Sequence, residues 1–299
     1  MTIFVNVVLP AILIFLSGFV VQRWKKMDLK SISTLAVYIL TPALVFRTFY
    51  DVQLDQQYVF ITVFSLILLF VLIIINKVYA KFRKYPRDVE SGLILSTAFM
   101  NAGNYGAPII LFAYGETGFA YAVSFMVLQS VIMNFFGVYY AASGQLGFRA
   151  AIKTISAMPL TYAMIIAILF NLFNIPLSAN LYSAVDLVGQ ATIPVVMLIL
   201  GMQLAELKVD KVINKERLIY GTTVRMFVSP LIAFIFVMLF PVDPLLAKVL
   251  IVLTAMPTAV TTTMYALQFN TTPKLVSSIA LVTTLVSVVT ISILLTILG

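Results

Sequence analysis

The sequence predicts an all-α membrane protein of ten transmembrane helices, arranged as two inverted five-helix repeats. Three observations carry this prediction. Hydrophobic residues make up 62% of the 299 residues and charged residues 10%, against about 45–50% and about 25% in soluble domains. The apolar residues form runs of the ~20 residues that a spanning helix needs. The two halves of the chain also resemble each other.

Each predicted span is a continuous apolar run, whereas a membrane β-barrel requires short alternating segments. The first nine residues carry no Lys or Arg, so we expect the first run to be a retained span and not a signal peptide. Ten spans leave no room for a folded soluble domain. The predicted spans cover residues 3–22, 31–50, 58–76, 89–113, 118–141, 154–173, 181–204, 218–240, 245–269 and 274–298.

The basic residues predict the orientation. Sixteen of the nineteen Lys and Arg residues follow spans 1, 3, 5, 7 or 9, and an excess of basic residues marks cytoplasmic loops. Both termini are therefore expected on the extracytoplasmic side of the plasma membrane. The basic cytoplasmic loops explain the net charge of +8, so that this charge does not indicate a nucleic-acid partner. The sixteen residues are Arg23, Lys25, Lys26, Lys30, Lys77, Lys81, Arg83, Lys84, Arg87, Arg149, Lys153, Lys208, Lys211, Lys215, Arg217 and Lys274.

The internal repeat divides the chain into residues 1–145 and 146–299. Leu-Ser-Thr-Ala at 95–98 in span 4 parallels Val-Leu-Thr-Ala at 252–255 in span 9. Because each half contains an odd number of spans, the second half must be inverted relative to the first. Inverted repeats are typical of secondary transporters.

Helix-breaking residues are concentrated in span 4, at Asn101, Gly103, Asn104, Gly106 and Pro108. Two Gly and one Pro disfavour a helix by roughly 5 kcal/mol relative to Ala. A break within a membrane is tolerated only inside protein or beside water, and broken helices form the substrate sites of transporters. The alternative is a Gly-rich packing face.

Span 9 carries a second set of such residues at the matching place in the repeat: Pro257, Thr258, Thr261 and Thr262. Proline frees a carbonyl one turn back, and Thr hydroxyls can satisfy stray backbone groups. The alternative is an ordinary Pro-kinked helix. We expect the two breaks to cross near the middle of the membrane and to form the substrate site.

Few charged residues lie within the spans. Arg225 in span 8 is either a charge on the substrate pathway or a structural cation that binds helix carbonyls. Asp186 in span 7 is a candidate for ion coupling, together with Gln190 and Gln129. The alternatives are an interfacial acid for Asp186 and interhelical hydrogen bonding for Gln129.

The chain resembles the auxin efflux carrier family in motifs that lie in order on spans 4, 7, 8 and 9. These motifs are Asn101-x4-Gly106-x-Pro108, Gly189–Pro194 followed by Gly201, Arg225-x4-Pro230, and Ala255-Met256-Pro257. Two features depart from the plant members of the family. Thr262 stands where they have a second proline, and span 3 carries Ser65 but no carboxylate before its cytoplasmic end.

The resemblance implies a fold like that of the bile-acid symporters and sodium/proton antiporters. Spans 1, 2, 6 and 7 would form a scaffold and a homodimer contact, and spans 3–5 and 8–10 a transport domain that moves like an elevator. The family carries organic anions, auxin in plants and small carboxylates such as malate in bacteria. The short connection between spans 5 and 6 resembles the bacterial members.

We therefore expect a permease for a small organic anion, auxin-like or a dicarboxylate, with the lipid bilayer as its surroundings. The alternative is a Na⁺- or proton-coupled symporter or a cation/proton exchanger of the same fold, with H⁺ or Na⁺ as the coupling ion. The chain has no His and no Cys, and it lacks a paired intramembrane acid or a metal-binding motif. We expect no enzymatic activity, no cofactor and no bound metal.

Overall fold

The structure is a computed structural model that describes residues 4–52, 55–142, 158–207 and 214–299. Apart from one isolated backbone bridge, the regular structure in these residues is entirely helical. The helices are α1 (Val5–Lys25), α2 (Leu29–Asp51), α3 (Gln56–Phe82), α4 (Arg87–Ala98), α5 (Ala102–Ala141), α6 (Pro159–Leu172), α7 (Ala179–Glu206), α8 (Lys215–Leu239), α9 (Pro244–Thr254), α10 (Val260–Gln268) and α11 (Pro273–Leu298).

These helices bear out the prediction of an all-helical membrane protein. Seven helices in the described residues are long and apolar enough to cross a membrane, and α6 and α9 are shorter apolar helices. Predicted spans 4 and 9 are each split, into α4 with the start of α5 and into α9 with α10. The start of span 6, the boundary between residues 145 and 146, and four of the predicted loop cations lie outside the described residues. Those cations are Arg149, Lys153, Lys208 and Lys211.

Helix α5 is 40 residues long, so a straight α5 would extend over about 60 Å, twice the thickness of the hydrocarbon core. It is interrupted at Gly115, whose φ of 66° and ψ of −164° are not helical. Glycine adopts such a positive φ without a steric penalty. The part of α5 before Gly115 corresponds to the second half of predicted span 4, and the part after Gly115 corresponds to predicted span 5.

Helices α1, α2, α6 and α7 pack on one another. The contact between α1 and α7 depends on glycine, because a Cβ at Gly201 would lie 1.9 Å from the carbonyl oxygen of Phe15. A Cβ at Gly18 would lie 2.2 Å from the carbonyl oxygen of Leu198. Small residues allow membrane helices to approach this closely. We call these four helices the first bundle.

Helices α3, α4, α5, α8, α9, α10 and α11 form a second bundle through contacts among themselves. Phe64 of α3 packs against Phe236 of α8 with ring centroids 4.9 Å apart and against Phe125 of α5 at 6.2 Å. The second bundle contains both interrupted spans. The larger cavity of the described structure is lined by residues of both bundles.

Candidate functional site

Two interrupted helices meet inside the second bundle. Helix α4 ends at Ala98 and α5 begins at Ala102, with Phe99 in an extended conformation between them. Helix α9 ends at Thr254 and α10 begins at Val260. The two connecting segments, residues 99–101 and 255–259, run antiparallel and pair at Met100 and Thr258. We call this place the crossing.

Backbone hydrogen bonds hold the crossing together. The Asn101 N–H donates to the Pro257 carbonyl at 2.8 Å, and the Ala259 N–H donates to the Phe99 carbonyl at 3.0 Å. Pro257 has no N–H of its own and so leaves no unsatisfied donor in this buried position. The break in span 4 therefore starts at Phe99, before the Gly- and Pro-rich residues that predicted it.

Arg225 of α8 binds the carboxyl-terminal ends of both interrupted helices. It is fully buried, and its Nη1 donates to the Thr97 carbonyl of α4 at 2.6 Å. Its Nη2 donates to the Thr254 carbonyl of α9 and to the Ser229 hydroxyl. A helix end carries about half a negative charge on its free carbonyls. One guanidinium thus compensates two such ends.

The amino-terminal ends of α5 and α10 lie on the other side of the crossing and are uncapped. Asn101 and Ala259 occupy the N-cap positions, and neither side chain accepts a hydrogen bond from its helix. The first turn of each helix therefore presents backbone N–H groups without intrahelical partners. Each end carries about half a positive charge, and such ends bind anions.

These two helix ends lie at a cavity of about 910 Å³ between the bundles. Five predicted site residues line this cavity: Asn101, Gly103, Asn104, Gln129 and Thr261. Among the described residues, no hydrogen bond joins the side-chain amide of Asn101 or Asn104 to another protein group, although Asn101 is only 6% exposed. Within the part of the chain that the structure describes, both amides are therefore available for a ligand.

Other predicted site residues make contacts within the protein at the crossing and do not line the cavity. The Thr258 hydroxyl donates to the Ser96 carbonyl at 2.5 Å, and the Thr262 hydroxyl donates to the Ala259 carbonyl at 2.8 Å. A Cβ at Gly106 would lie 2.7 Å from Leu253 Cδ2, so glycine allows α5 to approach α9. Pro257 and Arg225 also lie outside the cavity lining.

Pro108 does not break a helix. It lies in the first turn of the α-helical part of α5, after a π-helical turn at Ala102–Gly106. Proline is favoured in a first turn because its missing N–H is not needed there. The prediction that Pro108 interrupts span 4 is therefore wrong, because Pro108 lies where the α-helical part begins and the interruption precedes it. Arg225 likewise differs from the pathway interpretation, since its three described partners are two helix carbonyls and a hydroxyl.

The sequence interpretation missed several polar residues near the crossing. Thr263 of α10 lines the cavity, is 3% exposed, and its hydroxyl has no partner among the described residues. The Tyr265 hydroxyl donates to Asn134 Oδ1 at 2.8 Å, and both residues line the cavity. Asn76 of α3 is fully buried and donates to Thr97 Oγ1 at 2.7 Å. A polar residue on an apolar span was the available signal for Asn76. The same signal predicts an interhelical hydrogen bond for Asn134, and its contact with Tyr265 confirms that prediction.

A second cavity of about 250 Å³ lies beside Arg47, Glu116 and Gln190. Asp186 forms an ion pair with Arg47 at 2.8 Å and accepts a hydrogen bond from Gln190 at 2.7 Å. The structure thus places the predicted coupling residues Asp186 and Gln190 away from the crossing and Gln129 beside it. Leu44 and Ile193 line both cavities, so these side chains separate them.

The charged residues that line the larger cavity within the described structure are Asp28, Lys30 and Glu206. They lie at the turn between α1 and α2 and at the end of α7, remote in sequence from the crossing. Asp28 caps α2 by accepting from the Lys30 N–H at 3.2 Å. A hydrogen bond from the Ser31 hydroxyl lowers the pKa of Asp28 below its usual value. At the crossing, the residues that line the cavity within the described structure have neutral side chains.

Comparisons with known proteins find similarity to membrane transporters along most of the chain. The family model described as "Membrane transport protein" matches residues 3–146 and 146–295. An uncharacterized transporter of Methanocaldococcus jannaschii is 26% identical over 302 residues, covering 96% of both chains. An uncharacterized transporter of Methanothermobacter thermautotrophicus is 24% identical over 288 residues, covering 94% of both chains.

Proposed function

The chain belongs to the membrane transport protein family, as its likeness to the auxin efflux carriers predicted, and on this premise we propose that it is a secondary active transporter of small organic anions. Its ten spans form two inverted repeats, and the substrate binds at the crossing. The protein acts as a carrier and not as an enzyme.

The observation that carries this proposal is the pair of uncapped helix ends at the cavity. Two ends of about half a positive charge each complement one carboxylate, and their free N–H groups supply donors for its oxygens. Asn101 and Asn104 add amide donors from side chains that have no described protein partner. Arg225 compensates the partial negative charge at the carboxyl-terminal ends of α4 and α9. These ends therefore do not repel the anion.

The rest of the cavity suits an organic body. Met100, Met126, Met133 and Met264 line it, and methionine packs adaptably around apolar ligands. No arginine lines the cavity within the described residues. We therefore propose that a single carboxylate binds at the crossing while the apolar part of the substrate lies against the methionines.

We further propose that the second bundle moves past the first in an elevator-like motion. Helices α1, α2, α6 and α7 would serve as the scaffold and the site of homodimer contact. The separation of two cavities by Leu44 and Ile193 supports alternating access. The larger cavity reaches Asp28 and Lys30, on the side that the basic residues predict to be cytoplasmic, which supports an inward-facing state of the carrier.

A ligand-stabilisation experiment on purified protein tests this proposal. Phenylacetate and malonate are added to separate samples, with phenylacetamide as the uncharged analogue of phenylacetate. At a hundred times its Kd, a ligand stabilises the folded state by about 2.7 kcal/mol. We expect at least one acid to raise the melting temperature and phenylacetamide to have no effect.

Asn101→Ala should remove the stabilisation by acids, and Asn174→Ala, at an exposed position outside the cavity, should retain it. Equal stabilisation by phenylacetate and phenylacetamide, or by acids in the Asn101→Ala variant, would contradict the proposed site. Uptake measured with and without a Na⁺ or pH gradient then identifies the coupling ion.

A further inference from the structure

Two hydrogen-bond acceptors on α7, Gln203 and Glu206, line the cavity at a distance along the chain from the crossing. We call them the acceptor pair. We propose that the acceptor pair binds a hydrogen-bond donor on the transported anion, a hydroxyl or an ammonium group, so that the substrate is bifunctional. This inference rests on the proposed function and specifies the substrate class.

Gln203 provides the first acceptor. Its Oε1 is buried and has no hydrogen-bond partner among the described residues, although the residue lines the cavity. A buried carbonyl oxygen without a donor is unfavourable, and native proteins rarely retain one. A donor on a ligand would satisfy this oxygen.

Glu206 provides the second acceptor, and Gln22 of α1 holds it in place. Gln22 Nε2 donates to Glu206 Oε1 at 2.7 Å and to the Met27 carbonyl at 3.1 Å. Both partners are acceptors, so the orientation of this amide is fixed. The Gln22 residue is buried, with only 6% of its surface exposed. Glu206, in contrast, is exposed. Within the described residues, Glu206 forms no ion pair.

The acceptor pair and the helix ends of the crossing line one cavity of about 910 Å³. Glu206 follows Gln203 by three residues, or about 4.5 Å of helix rise, on the same helix face. A ligand that extends along this cavity can contact both the helix ends and the acceptor pair.

The two walls of the cavity are therefore complementary to different groups. The second bundle offers the donors of two helix ends, and the first bundle offers the oxygens of the acceptor pair. A hydroxy acid or an amino acid satisfies both walls.

Matched pairs of acids test this inference by direct binding measurement. Gamma-hydroxybutyrate is compared with pentanoate, and para-hydroxyphenylacetate with para-methylphenylacetate, because each pair exchanges a hydroxyl for a methyl group at one of two lengths. In at least one pair, the wild-type protein should bind the hydroxy acid about tenfold more tightly, the size of one hydrogen bond to a charged or unsatisfied acceptor.

Gln203→Met alone should lower this preference, and Gln203→Met with Glu206→Met should reduce it to about one, because methionine offers no strong acceptor at either position. The affinity for the methyl acid should stay unchanged in both variants, since the helix ends are intact. Gln268→Met is the control, because Gln268 is exposed at the end of α10 and does not line the cavity.

Equal binding of both acids in every pair by the wild type would overturn the inference, as would a preference that survives in the double variant. These outcomes leave the proposed function in place, because an acid still binds. If none of the four acids binds the wild type, both the proposed function and the inference fail.

Discussion

Replacing Arg225 by methionine should destabilise the protein strongly. The substitution removes the donors to two buried backbone carbonyls, those of Thr97 and Thr254, and the donor to Ser229. A hydrogen bond from a charged donor contributes about 1.5–3 kcal/mol, so the two carbonyl contacts account for about 3–6 kcal/mol. Leaving one side of a buried charged contact unpaired costs a similar amount, about 3–5 kcal/mol.

Thermal denaturation of the detergent-solubilised protein measures this effect. A loss of this size lowers the melting temperature by on the order of 10 °C. Arg225→Lys should recover only part of the stability, because an ammonium group lacks the planar fork that donates to two separate carbonyls. Arg23→Met is the control, since Arg23 is exposed at the end of α1. If Arg225→Met melts at the temperature of the control, the guanidinium does not hold the crossing together.

Further predictions concern anion binding, helix packing and ion coupling. Asn101→Asp should abolish anion binding without unfolding the protein, because it puts a negative charge between two helix ends that select anions; a binding assay that detects unchanged affinity would refute this. Gly201→Ala should disrupt folding, since its Cβ would lie 1.9 Å from a backbone oxygen. A Cβ at Gly115 meets no atom within 4 Å, so Gly115→Ala should cost only about 1–3 kcal/mol of backbone strain. Melting curves compare the two, and equal losses would contradict the packing argument. Asp186→Asn breaks a partly exposed ion pair with Arg47 and should change stability by at most about 1 kcal/mol and leave uptake intact. Loss of gradient-driven uptake in that variant would instead assign ion coupling to Asp186.

Apolar patterning made the helices of this chain predictable from sequence, because a bilayer requires long apolar runs. The interruption of span 4 was predicted to lie between Asn101 and Pro108, but it begins at Phe99. The reason is tertiary: residues 99–101 leave the helix and pair with residues 257–259 of another span. The free-energy cost of proline and glycine in a helix shows where the helix is locally weak. It carries no information about a partner segment elsewhere in the chain.

Side-chain roles at the site were less predictable than the helices. Arg225 was recognised as an unusual buried charge, and both a pathway charge and a structural cation fitted the sequence. Three-dimensional contacts with α4 and α9 assign it to the structural role. Gln203 and Glu206 lie near the end of α7, where polar residues are ordinary in sequence. Their contact with the cavity depends on how α7 packs on α1.

The central claim is that an organic anion binds between the two helix ends at the crossing and is carried across the membrane. Uptake of a radiolabelled acid, chosen as the strongest stabiliser in the melting experiment, into proteoliposomes tests it most directly. We predict saturable uptake by the wild type and its loss in Asn101→Ala, with both proteins equally folded and equally reconstituted. Wild-type uptake rates in the Asn101→Ala variant would contradict the claim.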